Sequence, residues 1–122
     1  MRGRRLWMKV EAPGRQIPVF VVKVLEDEDG HDLFGQFDTE KPQILIRQID
    51  DIGAMKQTLH HELLHVCFSG HSGDARARVL HSKTKDGRFD REEEIVSFLE
   101  PTQYDLLFRN GYLRYPNPPR VK

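Results

Sequence analysis

Ile52-Gly53-Ala54-Met55-Lys56-Gln57-Thr58-Leu59-His60-His61-Glu62-Leu63-Leu64-His65-Val66-Cys67-Phe68 is the stretch on which the reading of this chain turns. Apolar residues stand at 52, 55, 59, 63, 66 and 67, the period of an amphipathic helix. Asp51 is placed to cap its start and Gly70 to stop it. Within it, His61-Glu62-Leu63-Leu64-His65 spells HExxH. Two histidines four residues apart share one helix face, so both imidazoles can reach one metal ion. Glu62, beside the first histidine, is placed to take a proton from an attacking water, as a hydrolytic zinc site requires. Five residues thus supply two ligands and a general base. His60 points about 100° away from His61 and reads as a surface residue. Cys67 reads as a small buried hydrophobe rather than a zinc ligand.

Working outward, residues 1–51 read as β structure. Ile17 to Leu25 is rich in β-branched residues, Leu33 to Phe37 is a short strand, and Gln43 to Ile49 alternates in part. Leu6 to Glu11 adds a strand before the Ala12-Pro13-Gly14-Arg15 turn. Charged turns at 26–30 and 38–42 separate the rest, and short links between neighbours predict an antiparallel meander. Residues 70–90 are polar and basic and read as a loop, with a small hairpin around Arg78 to Leu80. A second helix is expected over 91–110, capped by Asp90 with Glu93 three residues on. Pro101 should interrupt or kink it, and Gly111 should end it. Tyr112 to Lys122 is proline-rich and expected to run extended over the surface. The fold class is α+β in a single domain, 1–122.

A catalytic zinc takes three protein ligands and leaves one position open. His71 is one candidate for the third. It sits at the HExxHxxGxxH spacing of metzincins, but Phe68 replaces the glycine of that motif and no methionine follows Met55. The same three histidines resemble the spacing of YbeY-type endoribonucleases, which carry glycine where this chain has Glu62 and Phe68. The other candidates lie in Arg91-Glu92-Glu93-Glu94-Ile95-Val96-Ser97-Phe98-Leu99. On a helical wheel, Ile95, Val96, Leu99 and Leu106 define one face with Glu92 near its centre, Glu93 about 100° away and Glu94 on the far side.

That segment resembles the E-x-x-A-N-x-F-A stretch that follows HExxH in ImmA/IrrE-type gluzincins. The resemblance makes Glu92 the ligand, with Glu93 the alternative and His71 the third choice, and puts Ile95 and Val96 at the A-N positions, so that family's asparagine is missing. It implies a zincin-like domain that binds Zn2+ through His61, His65 and Glu92 and hydrolyses peptide bonds with Glu62 as base. Substrate would lie along strand 43–49 by β-addition. The rivals are a metal-dependent endoribonuclease using His71 and a zinc-stabilised binding module without catalysis. Glu62 speaks against the second, because a purely structural site needs no base. His81 and Tyr104 are weaker candidates for steadying an oxyanion.

Composition narrows the partners. Nineteen basic residues balance nineteen acidic ones, which argues against a dominant electrostatic pull toward nucleic acid. No apolar run is long enough for a membrane span. Met1-Arg2-Gly3-Arg4-Arg5-Leu6-Trp7-Met8 is basic without the apolar core of a signal peptide, and Cys67 is the sole cysteine, so a cytoplasmic location is expected.

Overall fold

In the computed structural model, residues 3–12, 14–38, 40–69, 91–111 and 113–122 are described. They form strands β1 (Arg4–Ala12), β2 (Arg15–Val22), β3 (Gly35–Asp38) and β4 (Gln43–Arg47), then helices α1 (Ile52–Ser69) and α2 (Arg91–Arg109). The architecture is α+β, with all four expected strands within a few residues of their expected bounds. The loop 70–90, its hairpin, and the Asp90 and Gly70 caps lie outside the described residues.

The sheet is mixed, not the antiparallel meander that the turns suggested. Its order is β1-β2-β4-β3. β1 with β2 and β3 with β4 are antiparallel pairs, but β2 runs parallel to β4, with Val19 opposite Ile44 and Val21 opposite Ile46. The physical reason is the link 23–34. It is too long for a tight hairpin, so β3 need not fold back on β2. β4 takes that place, and β3 becomes an edge.

Period-two alternation along β2 and β4 sends Ile17, Val19, Val21, Ile44 and Ile46 to one face, each fully buried. Met55, Leu59 and Val66 of α1 pack on them. Asp51 caps α1 as expected, its Oδ1 accepting the Ala54 N–H at 3.0 Å. A register shift between Leu6 and Met8 marks a bulge at Trp7, which lies buried in this core.

Two expectations fail at the chain's end and on α1. The tail does not drift over the surface. Val121 enters the core. Its N–H donates to Gln48 Oε1 at 2.6 Å, and its carbonyl accepts from Gln48 Nε2 at 3.2 Å. Trp7 Nε1 donates to the Pro116 carbonyl at 3.0 Å. Residues 113–122 are therefore a strap fastened by paired polar groups. Cys67, expected to be buried, is exposed on α1. Among the described residues no helix is long and apolar enough to cross a membrane.

Candidate metal centre

α1 presents its histidines toward α2, and α2 answers with polar residues. The inward positions of α2 are Glu93, Val96, Glu100 and Gln103, spaced three and four apart. Val96 and Glu100 are buried, whereas Phe98, Leu99 and Leu106 are exposed. The wheel drawn through Leu99 and Leu106 therefore chose the wrong face. Hydrophobicity misled because this helix seats on α1 through hydrogen bonds. Glu100 Oε2 accepts from Gln57 Nε2 at 3.2 Å, and Gln103 Oε1 lies 2.9 Å from His60 Nε2. The helix runs on through Pro101 rather than breaking there and ends where Gly111, at φ 76°, takes the left-handed conformation that glycine tolerates.

The turn of the helix that follows from this face brings Glu93 to the histidines. His61 Nε2 lies 3.2 Å from Glu93 Oε1, and His65 Nε2 lies 2.7 Å from Glu93 Oε2. The two rings meet edge-on with centroids 5.2 Å apart. One ligand-type atom from each of the three residues lies within 4.8 Å of the others. Tetrahedral zinc with bonds of about 2.0–2.1 Å puts its ligand atoms roughly 3.3 Å apart, so this donor set of two imidazoles and a carboxylate fits the ion. The Glu92 side chain and His71 lie outside the described ones, as does His81.

Glu62 stands beside the triad and outside it. It is buried, under the edge of β3. Burial pushes its carboxyl up to about 7. His65 and a backbone hydrogen bond from Phe37 pull it down, while Glu93 pushes it further up. The close approach of β3 to α1 depends on Gly35. A Cβ there would stand 2.6 Å from Thr58 Cγ2 and 3.3 Å from Glu62 Cγ and Oε2. Leu33, Gly35, Phe37, His61, Glu62 and Glu93 are among the residues lining an open cleft of about 390 Å³.

The parity of β3 decides what else faces that cleft. Arg47 N–H donates to the Phe34 carbonyl at 2.8 Å. Phe34 is thus a hydrogen-bonded partner of β4, and so are Gln36 and Asp38 two and four residues on. Gly35 and Phe37 turn their backbone groups outward. Strand 43–49, where sequence placed the substrate, is internal and has no free edge; β3 has one among the described strands.

His60 is not a surface residue. It is buried with both ring nitrogens engaged. Gln103 Oε1 can only accept, so Nε2 carries the proton and Nδ1 accepts from the Tyr115 hydroxyl at 2.8 Å. Tyr104 stacks on Phe108 and packs against the His60 ring, away from the cleft lining. Burial first, then the charge of Glu100, pushes its hydroxyl pKa up. Its position gives no support to an oxyanion role. The sequence offered one overlooked signal for Glu93, Glu100 and Gln103: polar residues at helical spacing opposite a histidine-rich helix. No protein-family model, curated protein or solved structure matches this chain.

Proposed function

We propose that this chain is a zinc-dependent, zincin-like peptide hydrolase of the gluzincin type, with His61, His65 and Glu93 as the metal ligands. The carrying observation is the convergence of the three donors with a separate buried carboxylate, Glu62, in one cleft. Zinc, when bound, would supply Lewis-acid polarisation of the scissile carbonyl and acidify an attacking water. Glu62 takes the proton of that water and delivers it to the amine nitrogen as the C–N bond breaks, which returns the carboxylate. The burial of Glu62, which raises its proton affinity, suits a group that must both take and return a proton. The outward backbone groups of Gly35 and the carbonyl of Phe37, whose N–H is taken by Glu62, would hold an extended peptide against β3.

Glu92 is the ligand the family resemblance names, and Glu93 is the one whose geometry supports the role. The function is tested by loading the protein with zinc, measuring metal content and screening a broad peptide library. One zinc per chain with peptide cleavage is expected. Zinc binding without cleavage of any peptide or protein would favour the non-catalytic module, and RNA cleavage dependent on His71 would favour the endoribonuclease.

A further inference from the structure

A second pocket of about 370 Å³ adjoins the cleft and shares Gly35, His61 and Glu62 with it. Phe34, Ala54, Gln57, Thr58 and Glu100 complete its lining. Glu100 is its distinctive member, a carboxylate only 7% exposed. Gln57 donates to one of its oxygens. The other has no hydrogen-bond partner among the described residues. No fully buried side-chain oxygen lacks a partner, so this second oxygen keeps some exposure, and Glu100 is part of the pocket's lining.

A carboxylate this enclosed is costly unless a cation or several donors meet it. Among the described residues no lysine or arginine pairs with Glu100. Arg47, whose guanidinium stacks on the Phe34 ring, is paired with Asp32 at 3.5 Å. The remaining lining is suited to a long side chain. Phe34 and Ala54 offer apolar surface for a methylene stem, and the volume exceeds what a lone ammonium fills.

We infer that this pocket receives a lysine or arginine side chain of the substrate next to the scissile bond, with Glu100 pairing its charge and Gln57 holding the carboxylate in place. This rests on reading the neighbouring cleft as the site of peptide hydrolysis. A free peptide N-terminus carries the same kind of charge, so the test separates the two sources.

The first arm needs no metal and no turnover. n-Butylguanidinium is titrated into the protein and followed by backbone amide NMR. Saturable shifts at Gly35, Gln57 and Thr58 are expected, lost in Glu100→Gln and absent with the neutral analogue valeramide. Equal shifts with valeramide in the wild type would overturn the inference even if Glu100→Gln failed to fold. The second arm compares cleavage of N-acetylated peptides by the zinc-loaded protein. Lysine or arginine beside the cleaved bond should be favoured over norleucine roughly 10- to 100-fold, the worth of one charge-assisted hydrogen bond, and Glu100→Gln should remove the preference. Cleavage indifferent to these residues, or confined to peptides with a free N-terminus, would overturn it. Guanidinium binding without any cleavage would uphold the pocket and sink the hydrolase reading.

Discussion

Glu62 combines two conditions that conflict in water. It is hidden from solvent, yet hydrogen-bonded by Phe37 and flanked by His65. Glu62→Gln keeps the shape and a hydrogen-bonding oxygen but cannot accept a proton. It should retain zinc and fold while turnover falls roughly 10²–10⁴-fold; undiminished cleavage would remove Glu62 from the mechanism. The ligands separate as cleanly. Glu93→Ala, His61→Ala and His65→Ala should each empty the zinc site, while Glu92→Ala and His71→Ala should leave about one zinc per chain. A full site in Glu93→Ala with an empty one in Glu92→Ala would restore the register of the family resemblance. Gly35→Ala tests the close approach of β3 to α1. Thr58 Cγ2 at 2.6 Å would have to move, at a cost of roughly 1–3 kcal/mol. A denaturation midpoint equal to wild type would show that the contact yields freely. His61, Glu62 and His65 were legible in the sequence because one helical turn fixes their geometry locally. Which carboxylate meets the two histidines was not, because that depends on how one helix is rotated against another.

At the scale of elements, α2 shows why that rotation was misread. The amphipathic rule assigns the apolar stripe to the interior. Here Glu93, Glu100 and Gln103 face α1 while Phe98 and Leu106 face outward. The rule fails when the opposite helix carries Gln57, His60, His61 and His65, which need partners of their own. The strap adds a third party through Tyr115. Burial above all pushes its hydroxyl up to about 12, with Tyr104 and Cys67 adding to the effect. A tyrosine whose pKa is raised on folding contributes its stability fully below its ordinary value of about 10 and loses it as pH climbs toward 12. Tyr115→Phe should cost roughly 1–3 kcal/mol near pH 8, because His60 Nδ1 then loses its donor. The gap between wild type and variant should narrow in unfolding experiments as pH passes 10. A gap that stays constant to pH 11 would mean the hydroxyl is not held neutral by the fold.

For the whole molecule, the four strands, α1 and α2 were legible, since each is written in short-range patterns. The strand order was not, because nothing local records which hairpin lies beside which. The docked strap was also missed. Proline-rich composition speaks of extension, and extension does not say against what. Trp7, the chain's single tryptophan, reports on that docking. Val121→Asp would place a charge in the core that both residues belong to, a cost large enough to release the strap. Trp7 emission should shift to the red while the helical far-ultraviolet signal persists. An unshifted emission maximum would show that Trp7 is sheltered without the strap.

The parallel seam between β2 and β4 also sets an order of events. Each hairpin closes on its own turn, a matter of microseconds. The seam joins segments far apart in the chain and must wait for the loop-closure entropy to be met. Substitutions along Val19–Val22 should therefore slow folding, whereas those in the strap should chiefly hasten unfolding. β3 itself meets α1 through a continuous stretch of chain, so Glu62 gains a strand to lie under once the β3–β4 hairpin seats on the helix. The HExxH pattern is complete within one helical turn, but the burial of its carboxylate waits on that hairpin, so a chain that has formed α1 alone carries the motif without its setting.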